Sequence, residues 1–220
     1  MPLRLGILIS GRGSNMLALL DYAAQDETDI EVAVVLADGD APGLDIAAAR
    51  GIATANIPRL NDENRKNHES RLIAKLESHG AELICLAGFM RLVSAEFCAR
   101  FDGRLINIHP SLLPKHKGLD THEKALADGD REHGCSVHLV TPGMDEGPVL
   151  GQRRVEVLEN DTSRTLADRV LAEEHRLYPL VVGAIAAGLL SKHEGRYKLN
   201  PGAIKGRIEG LPFPLKWPAD

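Results

Sequence analysis

What this 220-residue sequence has little of narrows the reading first. It carries only three cysteines, Cys85, Cys98 and Cys135, an odd number at wide spacing. That pattern supplies neither a disulfide framework nor the paired cysteines of a zinc ribbon, so reduced thiols are the simplest reading. There is no excess of basic charge. Twenty-six Lys and Arg against 31 Asp and Glu leave a formal net charge of −5, so the electrostatic footprint of a nucleic-acid binder is missing and any anionic ligand must be met by local groups. No apolar stretch approaches a membrane span, and the N-terminus has no basic flank, apolar run and small-residue cleavage site in series, so a cytoplasmic protein is expected.

What is present is ordinary for a globular chain: 44% hydrophobic and 26% charged residues, at a length that can bury a substantial core. A mostly apolar run at Leu3 to Ile9 is read as a buried strand, and after Gly11 and Gly13 the apolar positions Met16, Leu19, Leu20 and Ala23 recur at helical spacing with Asn15 as the expected cap. Strands are expected at Glu31 to Leu36, Ala53 to Ile57, Leu83 to Leu86 and Leu105 to Ile108, with helices between them at Leu44 to Arg50, about Glu63 to His79, and Ala95 to Phe101. This alternation predicts an α/β fold: a single-domain, Rossmann-like, mostly parallel sheet flanked by helices. Thr121 to Ala127 is read as a short helix with an exposed start. Ser136 to Val140 and Val149 to Val157 are expected to pair as antiparallel strands toward the C-terminal part. A helix capped by Thr162 covers Leu166 to Leu190, with Pro179 as a point of kinking or breakage. The domain is placed at 1–195, with 196–220 as a Pro- and Gly-rich tail packed on it.

Two local patterns bear chemistry. Ser10-Gly11-Arg12-Gly13-Ser14-Asn15 joins the first strand to the first helix, where free backbone N–H groups and the helix dipole favour an anion. It lacks the Gly-Lys-Ser/Thr of a triphosphate loop and the third glycine of a dinucleotide fingerprint, which leaves a single phosphate or a plain tight turn. Asn107-Ile108-His109-Pro110-Ser111-Leu112-Leu113-Pro114 sets an amide and an imidazole two residues apart at a strand end, hence on one face, at the sheet edge where open α/β folds place ligands. Taken alone, a strand-end Asn bonding a turn and a packed His remain an alternative.

Asn-x-His-Pro-Ser-Leu-Leu-Pro resembles the signature of the folate-dependent formyltransferases, and Ser-Gly-x-Gly-Ser-Asn resembles their glycinamide ribonucleotide branch. Leu86 to Arg91, Gly134 to His138 and Met144 to Pro148 extend the match over nearly the whole chain. The sequence departs from the family pattern at Lys115 to Asp120, where aromatic, Pro and His residues are common, and at Gln152, which stands one residue late after Asp145, Gly147 and Pro148. The resemblance implies transfer of a formyl group from 10-formyltetrahydrofolate to the amine of glycinamide ribonucleotide without a metal.

In that scheme Asn107 and a protonated His109 stabilise the oxyanion, while Asp145 holds the histidine charged, raising its pKa, and helps remove the ammonium proton. Gly13, Ser14, Asn15 and Glu174 would hold the ribonucleotide. Met90, Arg91, Leu92 and Val93, with Thr141, Pro142, Gly143, Met144, Asp145 and Asn107, would hold the folate, and Arg65 and Arg91 would meet its carboxylates. The implied partners are these two small molecules, with no nucleic acid and no membrane, in a monomer or homodimer. Two related activities, tRNA formylation and formylfolate hydrolysis, come with an extra domain for which this length leaves no room. A nucleotide-binding regulatory module that uses only the glycine loop is the rival from another class.

Overall fold

A computed structural model describes residues 1–193 and 196–199. The chain forms two compact units, Met1–Asn107 and a second that begins at Ile108. The first is built on β1 (Leu3–Ile9), whose Leu5, Ile7, Leu8 and Ile9 are fully buried. A strand buried and apolar from Leu5 to Ile9 has to be covered on both faces, and parallel pairing with crossover helices does this. β1 pairs in parallel with β2 (Ile30–Ala37) on one side and β4 (Leu83–Leu86) on the other, β2 takes β3 (Thr54–Asn56), and β4 takes β5 (Leu105–His109). The crossovers carry α1 (Ser14–Ala23), α2 (Gly43–Ala49), α3 (Arg65–Ser78) and α4 (Ala95–Arg100).

In the second unit α5 (Thr121–Ala127) precedes β6 (Glu132–Leu139) and β7 (Val149–Glu156), which pair antiparallel with Ser136 opposite Gln152. The long α6 (Ser163–Ala186) follows, and then β8 (Leu190–His193) and β9 (Arg196–Leu199) form an antiparallel pair. The strand order is β3-β2-β1-β4-β5-β6-β7, the mixed, mostly parallel sheet that the alternation predicts. No helix among the described residues is long and apolar enough to cross a membrane.

Several local expectations need correction. Asn15 does not cap α1. Gly13 occupies the cap position at φ 72°, a left-handed conformation that glycine adopts without steric cost, and Asn15 is buried inside the first turn. Pro179 does not break α6, which runs on to Ala186 with buried Leu177, Tyr178, Val181 and Val182 on both sides of the lost hydrogen bond. Leu190 belongs to β8 rather than to the helix. Within the expected tail, 196–199 is a strand, and the packing expected of the rest falls outside the described residues. The Thr162 cap is present as a reciprocal box: Thr165 N–H donates to Thr162 Oγ1 at 3.2 Å, and Thr162 N–H donates to Thr165 Oγ1 at 2.9 Å.

These contacts set a stability contrast that urea unfolding reads. Leu8→Ala, which empties a fully buried position on the central strand, should cost about 2–5 kcal/mol. Thr162→Ala, which removes an exposed cap, should cost about 1 kcal/mol.

Candidate active site

The order β3-β2-β1-β4 makes the chain leave β1 in one direction and return through β4 in the other, so the carboxyl ends of β1 and β4 flank a topological switch point. The segments after these two strands are tied to each other. Ser10 N–H donates to the Gly88 carbonyl at 3.1 Å, and Met90 N–H donates to Ser10 Oγ at 2.9 Å. Thus the glycine loop with Gly13, Ser14 and Asn15 is brought next to the strip Met90 to Val93, on which Met90 and Leu92 are exposed.

Arg65 and Arg91 border the same strip, but neither is a free cation. Arg65 donates from Nε to Glu69 Oε1 at 3.0 Å and from its terminal nitrogen to the Leu92 carbonyl, and Arg91 is paired with the buried Asp38. The first effect of both arginines is to fix the strip in place. Their side chains remain about half exposed, so each keeps donors for a ligand.

β5 delivers the second set. Asn107 and His109 stand two apart on this strand and so face one way, Asn107 half-buried and His109 buried. Within the second unit His109 Nδ1 lies 3.4 Å from Asp145 Oδ2, while His109 Nε2 donates to the His116 carbonyl at 3.0 Å. Asp145 accepts the Gly118 N–H at 2.9 Å, and His138 Nε2 stands 3.5 Å from its other oxygen. Asp145 has φ 52°, and Gly147 follows in a place where a Cβ would lie 1.7 Å from the Leu139 carbonyl oxygen. Only glycine lets this loop fold close enough to present the carboxylate.

The segment after His109 is pinned from the β6–β7 pair. Ser136 Oγ donates to the Ser111 carbonyl at 2.6 Å and accepts from Leu113 N–H at 3.0 Å and from Gln152 Nε2 at 2.8 Å. Gln152, late by one residue in the motif, still reaches the Leu113 carbonyl at 2.9 Å. The roles of His138, Ser136 and Gln152 went unread from sequence. The Gly134–His138 and Gln152 matches were the only signal that pointed to them.

The start of α5 is not exposed as expected. Thr121 is buried and donates to the Pro110 carbonyl at 2.7 Å, and His122 Nδ1 lies 3.1 Å from Nε2 of the buried His133. His116, in the atypical loop, bonds Asp130 at 2.7 Å. Glu174 is buried on α6. Among the described residues no cluster of His, Cys, Asp or Glu is arranged to hold a metal ion.

Electrostatics also revises the role expected for Asp145. Burial lowers the pKa of His109, and the bonds and charges that raise it, from the His116 carbonyl and Asp145, do not cancel that effect. The resting imidazole is therefore held toward its neutral form rather than kept charged. Burial would raise the Asp145 pKa, yet the hydrogen bond from His138, the Gly118 N–H and the charges of His109 and His138 outweigh it and bring it to about 2. Asp145 is thus a permanent anion at neutral pH and a weak proton acceptor.

An amide and an imidazole stand two residues apart at one strand end, and a carboxylate is fixed beside the imidazole, a set of side chains chemically able to serve group transfer to or from a carbonyl. The chain belongs to the formyl transferase family, whose pattern matches residues 3–182. Phosphoribosylglycinamide formyltransferase of Escherichia coli (strain K12) is 42% identical over 189 residues, which cover 86% of this chain and 89% of that protein. The crystal structure of glycinamide ribonucleotide transformylase 1 from Symbiobacterium toebii matches with a TM-score of 0.86 at 41% identity, over 90% of this chain and 94% of that one. The phosphoribosylglycinamide formyltransferase of Coxiella burnetii in complex with CHES gives 0.85 at 44% identity with the same coverage.

The buried histidines make stability depend on pH. Burial, reinforced by the charges of His122 and His116, lowers the His133 pKa to about 4. Its folded pKa lies below the unfolded value of about 6.5, so the unfolded chain takes up the proton first and stability is lost as pH falls between those values, by about 1.4 kcal/mol per pH unit for one group. His109 and His122 add in the same direction. Asp145 acts lower, losing its contribution from about pH 4 down to 2. Urea unfolding between pH 7 and pH 4.5 should show this decline, with a shallower slope for His133→Gln; a flat wild-type profile would contradict the assignment.

Proposed function

We infer that the chain transfers the formyl group of 10-formyltetrahydrofolate to the amine of glycinamide ribonucleotide, in de novo purine synthesis in the cytoplasm. The observation that carries this reading is the approach of Asp145 to His109 at the end of β5, two residues after Asn107, in a chain with a relative 42% identical over nearly its full length. The ribonucleotide phosphate rests on Gly13, Ser14 and Asn15, and Glu174 meets the ribose or glycinamide end. The folate lies on Met90 to Val93 and on Thr141 to Asp145, with Arg65 and Arg91 offering their remaining donors to its carboxylates.

In the reaction the amine attacks the formyl carbon, a C–N bond forms, and the carbonyl electron pair moves to oxygen. Asn107 donates from its amide and His109 from a ring nitrogen to that oxyanion. His109 can do so only after Nε2–H leaves the His116 carbonyl, or by taking a proton at Nδ1 beside Asp145. Collapse of the intermediate breaks the bond to the folate nitrogen, and the proton lost by the ammonium ends on that nitrogen. Asp145, anionic throughout, stabilises the imidazolium as it forms, and a water held by it relays the proton.

Purified protein mixed with both substrates should release tetrahydrofolate; no turnover above background would sink the enzyme reading in favour of a binding module. Asn107→Ala and His109→Ala should each lower kcat by about 100- to 1000-fold with substrate binding largely kept. Asp145→Asn should also lose activity, non-additively with His109→Ala in a double-mutant cycle on single-turnover rates. Strict additivity would show that the two side chains act apart.

Gly13→Val tests the phosphate assignment. It should raise the ribonucleotide KM far more than the folate KM, since a branched side chain strains a φ of 72° and crowds Met16 at the loop's floor. Equal effects on both substrates would count against it.

A further inference from the structure

The Lys115 to Asp120 loop departs from the family pattern, yet its backbone bonds both members of the His109–Asp145 pair. His109 Nε2 donates to the His116 carbonyl at 3.0 Å, and Asp145 accepts the Gly118 N–H at 2.9 Å. These two groups lie in the peptide planes on either side of one α-carbon, that of Lys117. Because each plane is rigid, whatever fixes Lys117 steers a bond to the imidazole and a bond to the carboxylate together. Before Lys117 the loop is held from outside by Asp130, which takes Lys115 Nζ at 2.6 Å and has His116 Nε2 2.7 Å from its other oxygen. After it the backbone turns left-handed at Gly118, φ 76°. Lys117 itself has two ties: its carbonyl accepts from Lys124 Nζ at 3.2 Å, and its own Nζ donates to Glu146 Oε1 at 3.1 Å.

Glu146 stands next to Asp145 in the loop that carries the carboxylate. Its side chain folds back over Gly143, where a Cβ would lie 2.2 Å from Glu146 Oε2. Met144 meets the other loop at Gly118, where a Cβ would lie 3.3 Å from its sulfur. Between Met144 and Glu146, Asp145 has φ 52°, a conformation that a residue with a side chain keeps only where its surroundings impose it. Among the described residues Lys117–Glu146 is the one ion pair that joins the two loops.

Resting on the formyl-transfer reading above, we propose that Lys117 and Glu146 are a pair of positioning residues, whose contact braces the loop of the imidazole's acceptor against the loop of the carboxylate and so sets the approach of Asp145 to His109. Neither side chain touches the reacting atoms in this role. Both are open to solvent, so the effect is modest and screened by salt, and it falls on the rate rather than on the hold of the ribonucleotide.

The test measures kcat and KM for Lys117→Met, Glu146→Gln, their combination, and the reversed pair Lys117→Glu with Glu146→Lys. Each single change should lower kcat about two- to fivefold, the size expected of an exposed ion pair, with the ribonucleotide KM unchanged. The combined variant should lose no more than either single one, and the reversed pair should regain most of the rate, an outcome a merely structural role would not give. Added salt should narrow the gap in kcat between the wild type and Lys117→Met. Single variants with wild-type kcat, additive losses, or a reversed pair as slow as Lys117→Met would overturn the brace and leave the formyl-transfer reading standing. Absence of turnover in the wild type would remove both.

Discussion

The structure around the site depends on keeping one carboxylate, Asp145, ionised in a place that opposes it. Burial works to protonate the group, and the Gly118 N–H, His138 and His109 together overcome it. Each of these partners is placed by a different piece of chain: β5 brings His109, β6 brings His138, and the loop before α5 brings Gly118. Loss of any one shifts the balance toward a neutral acid, which has no field to offer the imidazole. Gly147 belongs to the same constraint, because no side chain at that position leaves room for the loop that carries Asp145.

A consequence is that the histidine and the carboxylate do not rest as an ordinary ion pair. His109 sits in surroundings dry enough to favour the neutral ring, with its Nε2–H lent to the His116 carbonyl. The carboxylate beside Nδ1 works against burial and lowers the cost of charging the ring. The bond to His116 also joins the atypical Lys115 to Asp120 loop to His109, since the carbonyl that accepts from Nε2 lies in that loop. Its outer side is fixed by Asp130, which takes both His116 and Lys115.

Charge in the first unit is arranged by assignment rather than by total. The chain is acidic overall, yet the arginines around the Met90 to Val93 strip are matched one to one by Asp38, Glu69 and Glu63, which takes Arg71. This matching fixes the strip and, among the described residues, leaves Arg59 without a paired carboxylate. A net charge of −5 says nothing of such local surpluses, which are what an anionic ligand meets.

The sequence by itself determined what is local. The apolar runs and glycine breaks laid out the parallel α/β order to within a residue or two at most ends, Thr162 announced the start of α6, and the two-residue spacing of Asn107 and His109 put them on one face without knowledge of anything else. Asp145 and Gln152 were legible only through the family pattern, because they lie far along the chain from β5 and no periodicity links them to it. Tertiary structure alone decided the rest. The direction of the His109 titration depends on how much chain covers the ring, and burial of that kind sums over many distant residues. The place of His138 beside Asp145, the burial of Thr121 and Glu174, and the pairing of Arg65 with Glu69 and of Arg91 with Asp38 all depend on which side chains meet after folding, and sequence records each residue's chemistry but not its partner.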